Sequence, residues 1–236
     1  MKKIIIPLFA AALTLSMLFT SCLYGIKGNR KVVKSERQVA AFDAISSSAG
    51  IEVILLQDSI VKVLVEADSN LQEIIKTEVS NGELKIYPQK RISSCESKKV
   101  FVTFKNIHSL EASSGSESKS NTVLKLETLH ISVSSGASVN LELAAIQLTI
   151  DGSSGGNIKL KGNTESLDVD GSSGANIKAQ ELQSKTCNAG ASSGANVKIN
   201  VIEKINAKAS SGGNIKVVGN PKEKNVEKSS GGDVEF

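Results

Sequence analysis

The sequence predicts an all-β protein: a right-handed parallel β-helix with rungs of about 19 residues, preceded by an N-terminal β-rich head. Three observations support this fold class. Hydrophobicity alternates with period two, aromatic residues make up only 3% of the chain beside 19 glycines, and Ser-Ser-Gly recurs at intervals of 18 to 21 residues. The repeats begin at Ser113, Ser134, Ser153, Ser172, Ser192, Ser210 and Ser229.

Each repeat is predicted to form a strand, a corner and a second strand. Small or apolar residues alternate before the tripeptide, as at Leu148, Ile150 and Gly152, and an Asn-Ile-Lys type of alternation follows it, as at 157–159. The glycine supplies a corner because it tolerates positive φ. Rungs stack about 4.8 Å apart, so equivalent residues should form ladders. A sandwich or barrel of short antiparallel strands would explain the alternation but not the return of the same residues in phase.

The first 21 residues predict a lipoprotein signal peptide. Lys2 and Lys3 precede an apolar run that ends at Phe19, and Thr20-Ser21 lead into Cys22. This ending resembles a bacterial lipobox, and the resemblance implies cleavage before Cys22 and acylation of that residue. The protein would then be held on the membrane by the lipid anchor at Cys22. The alternative is an ordinary secreted protein whose signal ends near a cysteine.

Residues 22–35 are expected to carry the lipidated cysteine and a linker. In the gut-bacterial lipoproteins that this segment resembles, an acidic tract just after the cysteine tends to mark export to the cell surface. Residues 23–29 contain no acidic residue. We therefore expect an outer-membrane lipoprotein, with the periplasmic face favoured over the cell surface.

Residues 36–105 are expected to form the head, which would cap the open end of the repeats at 106–236. Strands are predicted at 51–55, 61–65, 83–87 and 100–104, with a turn at Asn81-Gly82 and one helix over 70–77. The remaining cysteines, Cys95 and Cys187, lie 92 residues apart, and either a disulfide or two free thiols would suit the predicted compartment.

The head also resembles a known family. The runs at 42–45, 50–53 and 56–57, followed by 65–68 and 81–86, are similar to the head motif of the auto-transporter adhesin family with a head GIN domain. One departure is at Glu52: the letters GIN stand for Gly-Ile-Asn, and this chain has Glu in the place of the Asn. The resemblance implies a β-helical cell-envelope protein, often lipid-anchored, whose activity is not established.

Charge and aromatic content exclude some partners. The net charge is +4, and without Lys2 and Lys3 the chain has 26 basic against 24 acidic residues, too balanced for a strongly basic nucleic-acid binder. No Phe, Tyr or Trp lies between Lys105 and Glu235. Stacking platforms for bases or neutral sugars are therefore missing from the repeats, and we expect no nucleic-acid partner.

Four lysines predict the principal candidate site. They occupy one outward position on four successive rungs, preceded by Asn140 and followed by Glu235: Lys159, Lys178, Lys198 and Lys216. Such a stripe suits an anionic polysaccharide or phospholipid head groups. Lysine is also a common solubilising residue on exposed sheet, so the stripe needs no ligand to exist.

The competing candidate is acidic. Asp151 and Asp170 share a position on adjacent rungs, and Asp168 faces the same way, an arrangement that resembles the acid and base of a β-helical glycosidase or a calcium site. A solvated acidic patch is the simpler interpretation, because the repeats lack arginine and the polygalacturonase signatures. His108 and His130 stand alone in the sequence, with no metal-ligand spacing and no predicted catalytic role.

We therefore predict a non-enzymatic envelope protein that acts as an adhesin-like or scaffolding module, with no cofactor and no metal. The alternative is a polysaccharide-active enzyme that uses the three aspartates. At the C-terminus, Phe236 falls at an inward position of the last rung. Either it plugs the end or a second copy stacks there end to end.

Overall fold

The computed structural model describes residues 24–236, so the predicted signal peptide and Cys22 lie outside the described residues. The β-helix prediction is confirmed: the chain forms a β-solenoid of about seven turns, and no α-helix occurs in the described part. None of the described helical turns is long and apolar enough to span a membrane.

Nine strands precede the repeats. They are β1 (Ile26–Lys27), β2 (Val32–Arg37), β3 (Ala44–Ser47), β4 (Glu52–Gln57), β5 (Lys62–Asp68), β6 (Ile75–Ser80), β7 (Glu83–Pro88), β8 (Ile92–Ser94) and β9 (Lys98–Phe104). All four strands predicted in the head are present with slightly longer bounds. Asn81 and Gly82 both have positive φ, which confirms the predicted turn between β6 and β7.

The predicted helix over 70–77 is wrong. A single 3-10 turn covers Ser69–Leu71, and β6 begins at Ile75. Ile75, Thr77 and Val79 are β-branched and alternate along the strand, a composition that favours a pleated strand over a helix. β6 then pairs antiparallel with β7.

The repeats form the stack of long strands. They are β10 (Ser109–Ala112), β11 (Glu117–Val133), β12 (Ser138–Gly152), β13 (Asn157–Gly171), β14 (Asn176–Ala191), β15 (Asn196–Ala209), β16 (Asn214–Val218), β17 (Glu223–Lys228) and β18 (Asp233–Glu235). Each long strand pairs in parallel with the next. Identical repeat positions lie in register, for example Asn157 beside Asn176 and Ile158 beside Ile177.

The corners have one conformation throughout. The second serine of each tripeptide has φ near +50° and the glycine has φ near +72°, for example Ser173 at 48° and Gly174 at 73°. The glycine N–H donates to the carbonyl of the equivalent second serine on the next rung, as from Gly155 to Ser173 at 3.1 Å. The backbone groups of the corners are thus satisfied between rungs as well as within them.

The head and the repeats share one continuous sheet. β3 and β4 pair with β10 and β11 on one side and with β7 and β9 on the other, all in parallel. The corner between β3 and β4 is Ser48-Ala49-Gly50, where Ala49 has φ 55° and Gly50 has φ 72°. Head residues therefore build the first rungs, and β5 and β6 close the outer end by antiparallel pairing with β9 and β7.

The core is a narrow column of aliphatic side chains. Inward positions stack rung upon rung, for example Leu148, Leu167, Cys187 and Ile205 in one column, and all are buried. Phe104 is the only aromatic residue among the fully buried side chains of the described chain. The small core explains the low aromatic content of the sequence.

Candidate functional site

The four predicted lysines form a ladder on the outer surface of the solenoid. Parallel register places Lys159 beside Lys178, Lys178 beside Lys198, and Lys198 beside Lys216. Asn140 holds the equivalent position on the rung before Lys159, and Glu235 holds it on the rung after Lys216, as the phase of the repeats predicts. All four side chains are exposed.

Most of the lysine ladder lacks carboxylate partners. Lys216 pairs with Glu235 at 3.0 Å, but no described carboxylate oxygen lies within 4 Å of the other three ammonium groups: Lys159, Lys178 and Lys198. Other outward lysines of the solenoid are paired across rungs, for example Lys161 with Glu181 at 2.7 Å and Lys204 with Glu223 at 3.0 Å. Three stacked cations without such partners create a local positive field.

A ladder of amides runs beside the lysines. Asn157, Asn176, Asn196 and Asn214 are in register and end at Asp233. Asn214 donates to the Asn196 side chain at 3.5 Å, whereas Asn157 turns back to the Gly155 carbonyl at 3.0 Å. Asn196 likewise donates to the Gly194 carbonyl at 3.4 Å, so only part of the amide ladder bonds between rungs. Asn157, Lys159 and Lys178 border a shallow groove of about 220 Å³.

The acidic residues lie on another strand segment of the same rungs. Asp151 and Asp170 are in register, and Asp168 is beside Thr149 and Asn188. The expectation that His130 stands alone is wrong, because its Nε2 lies 2.6 Å from Asp151 Oδ2. His108 lies 3.6 Å from Asp43. Along the sequence, His130 and Asp151 are separated by one rung plus two residues. This spacing makes their side chains diagonal neighbours on adjacent strands and could have predicted the pair.

Within this patch, the carboxyl group of Asp170 has a shifted pKa. Partial burial raises the pKa of Asp170 above its ordinary value, and the nearby charges of Asp151 and Asp168 raise it further. The next rung leaves room for this carboxyl, since Gly190 carries no Cβ where one would lie 2.9 Å from Asp170 Oδ2. Asp168 and Asp170 border an open depression of about 320 Å³ that continues to Asn188, Asn206 and Lys208.

The patch does not form a metal centre in the described residues. No group of three or more His, Cys, Asp and Glu side chains there has the arrangement of a metal site. The carboxylate of Asp151 contacts His130, and Lys208, one rung beyond Gly190, pairs with Glu227 at 3.3 Å. The patch therefore mixes both signs of charge.

The cysteines and the C-terminus are also placed by the structure. Cys95 and Cys187 are both free; Cys95 is half-buried in the head and Cys187 is buried in the solenoid core. Phe236 is half-exposed, and the Lys224 ammonium lies 4.3 Å from the centre of its ring.

Solved structures from Bacteroides and Parabacteroides species have the same fold. A putative adhesin from Bacteroides fragilis NCTC 9343 has TM-score 0.81 at 19% identity, covering 89% of this chain and 99% of its own. A protein described as a putative lipid binding protein, from Parabacteroides distasonis ATCC 8503, has TM-score 0.67 at 20% identity, covering 89% and 98%. A putative adhesin from Parabacteroides merdae ATCC 43184 has TM-score 0.66 at 20% identity, with the same coverages.

No curated protein matches the chain. A family model does match, over residues 41–221, which includes both the head and most of the repeats. Its description is "Putative auto-transporter adhesin, head GIN domain". The shared solenoid, the head built into its first rungs and this match together show that the chain belongs to that family.

Proposed function

We propose that this protein is a non-enzymatic binding module of the cell envelope whose lysine ladder contacts anionic glycan or phospholipid head groups. One observation carries the proposal: Lys159, Lys178 and Lys198 stack in register and are exposed, and no described carboxylate pairs with them. The family description as an adhesin and the lipid-binding description of one structural neighbour agree with a binding role.

The spacing of the lysine ladder favours a polymeric or planar anion. Neighbouring ammonium groups about 4.8 Å apart repel by only about 0.9 kcal/mol in water, so the ladder is stable without a ligand. A ligand with one charge would meet one rung, whereas a chain of acidic sugars or a row of phosphates can meet three or four. Its affinity would then depend strongly on ionic strength.

The proposed setting is the outer membrane. Acylation of Cys22 would hold the protein there as a lipoprotein, with the periplasmic face favoured because no acidic residue follows the cysteine through Asn29. Mass measurement of the protein purified from membranes tests the anchor: the added mass of the acyl chains should map to the peptide that contains Cys22.

Binding to arrays of acidic polysaccharides and phospholipids, at low and physiological salt, tests the lysine ladder. We expect salt-sensitive binding that falls at least tenfold when all four lysines become glutamine: Lys159, Lys178, Lys198 and Lys216. Unchanged binding in this ladder variant would contradict the proposal.

A matched control separates the lysine ladder from net charge. Replacing four lysines that are ion-paired elsewhere by glutamine removes the same charge: Lys185, Lys204, Lys208 and Lys228. This control variant should retain binding within about twofold, since the local field of the lysine ladder is intact. Equal loss in both variants would indicate a nonspecific charge effect.

The second candidate function is cleavage of a polysaccharide by Asp151, Asp168 and Asp170. The raised pKa of Asp170 favours it, because glycosidases place a carboxyl group of raised pKa near a second carboxyl group. Against it, no aromatic platform lies near the patch and Asp151 is engaged with His130. Turnover of an acidic polysaccharide that is lost in Asp170→Asn would establish this activity.

A further inference from the structure

The N-terminal end of the molecule carries a second basic surface, apart from the lysine ladder. Residues 24–31 and 89–96 lie together, because β1 pairs with β8. These two segments hold five cationic side chains and one carboxylate, Glu96. We call the five the basic collar: Lys27, Arg30, Lys31, Lys90 and Arg91.

The two segments of the collar are held in place by backbone and side-chain bonds. Ile26 N–H donates to the Arg91 carbonyl at 2.8 Å and Gly28 N–H to the Ser94 carbonyl at 2.8 Å. Asp68, buried beneath them, accepts from the backbone N–H of Arg30 at 2.8 Å. The collar is therefore part of the folded head and not of a loose tail.

All five collar side chains are exposed. In the described chain no carboxylate oxygen lies within 4 Å of the ammonium or guanidinium groups of Lys27, Arg30, Lys31 and Lys90, whereas nearby Lys34 pairs with Glu66 at 3.1 Å. Tyr24, just before the collar, is fully exposed. Lys90 and Arg91 also border an open groove of about 560 Å³ beside the first corners.

The collar lies close to the predicted anchor. Four peptide steps separate Cys22 from Ile26, so even a fully extended chain places the start of the paired segment within roughly 14 Å of an acylated Cys22. Cationic side chains at this distance are attracted by anionic lipids, and an exposed tyrosine suits the boundary between head groups and acyl chains.

We propose that the basic collar and Tyr24 dock on the anionic head groups of the membrane that holds the anchor, and so orient the solenoid. This inference rests on the proposed lipidation of Cys22. The acyl chains supply the attachment, and the collar sets which end of the molecule faces the bilayer. The lysine ladder begins on a later rung, at Lys159 of β13, and stays available for a glycan.

The absence of tryptophan from the chain allows a direct test. Gln89→Trp, at an exposed position beside Lys90, places one reporter in the collar of the lipidated protein. Phe236→Trp, in a second sample, places one at the opposite end. Liposomes of phosphatidylcholine, with or without 30% phosphatidylglycerol, carry a lipid with a quencher at head-group depth.

We expect the reporter at position 89 to be quenched at least threefold more strongly on the anionic liposomes than on the neutral ones, and the reporter at 236 to be unaffected. Replacing Lys27, Arg30, Lys31 and Lys90 by glutamine should reduce the quenching at 89 to its neutral-liposome level. Equal quenching on both liposomes, or no effect of the collar variant, would overturn the proposal. So would a protein whose mass shows no acyl chain on Cys22.

The two proposals fail separately. The collar variant should bind acidic polysaccharide as the unaltered protein does, and the ladder variant should retain the quenching at position 89. If the ladder variant alone loses the quenching, the membrane contacts the lysine ladder and the collar has no such role.

Discussion

At the scale of single residues, Cys187 shows how the solenoid uses a thiol as a hydrophobic side chain. It stands between Leu167 and Ile205 in an inward column and is 3% exposed. Burial raises the pKa of the Cys187 thiol well above its usual range, and the charge of Asp168 adds to the effect. The thiolate is therefore disfavoured, and alkylation should require local opening of the rung.

This position yields a prediction on stability. Cys187→Ser should lower the free energy of unfolding by about 1–3 kcal/mol, because a hydroxyl would be buried in an apolar column. Cys187→Val, which keeps an apolar side chain of similar size, should cost less than about 1.5 kcal/mol. Urea unfolding of the two variants measures the difference; equal stability would show that the column accommodates a polar group.

At this scale the strict phase of the repeats predicts which side chains lie side by side on neighbouring rungs, but not which side chains meet diagonally. The phase of the Asn-Ile-Lys pattern was sufficient to place Lys159 beside Lys178. The phase does not pair His130 with Asp151, because the register partner of His130 is Thr149 and the contact with Asp151 is a diagonal one.

At the scale of elements, one buried carboxylate adds hydrogen bonds to the N-terminal strap, residues 24–37, which also pairs with β8 and β5. Asp68 accepts backbone N–H bonds from Arg30 on the strap and from Glu96 and Ser97 beside it. Burial by itself would raise the pKa of Asp68, but these hydrogen bonds lower it below 3.8, its ordinary value. The fold thus stabilises the charged form.

The sign of this shift predicts how the strap responds to acid. Because the folded-state pKa lies below that of the unfolded chain, the contribution of Asp68 is present above about pH 3.8 and is lost as the pH falls through the lowered value. Hydrogen exchange of segments 24–31 and 94–98, corrected for intrinsic rates, should accelerate in that window before exchange in the long strands does.

Two variants test whether Asp68 causes the acid response: one changes Asp68 itself and the other changes an exposed carboxylate on the strap. Asp68→Asn should accelerate exchange in the strap already at pH 6, because an amide cannot accept all three N–H bonds as well as a carboxylate. Glu36→Gln removes an exposed strap carboxylate paired with Lys62 and should have little effect. Full protection of the strap in Asp68→Asn would refute the assigned role.

The first corner and the strands of the head could not be placed from the repeat pattern. Ser48-Ala49-Gly50 has the backbone conformation of the seven later corners, yet it lies 65 residues before Ser113 and carries alanine at the second position. The strands β5 to β9 are inserted between this rung and the next, which breaks the period. The return of β7 and β9 to the outer side of β3 and β4 is a long-range pairing that no local pattern encodes.

At the scale of the whole molecule, the C-terminal end is protected differently from the capped N-terminal end. In the last rung, charged side chains occupy positions that are apolar in the rungs before it. Lys224 lies in register with buried Ile205, and Lys228 lies in register with buried Ala209. Lys224 contacts the Phe236 ring, and Lys228 pairs with Asp233 at 2.7 Å. All six residues of β17 are exposed. Inward-pointing charges of this kind oppose the addition of another strand.

We therefore predict that the protein is a monomer. Two substitutions at the C-terminal end should make it associate. Lys224→Val with Lys228→Ala would extend the apolar columns to an unpaired edge, and sedimentation velocity should then show concentration-dependent dimers or longer end-to-end assemblies. Lys185→Val with Lys204→Ala removes equal charge at outward positions and should remain monomeric. A monomeric Lys224→Val/Lys228→Ala variant would mean that the inward lysines do not guard the edge. Association of the unaltered protein would contradict the predicted monomer and make stacking of a second copy near Phe236 the better explanation of this end.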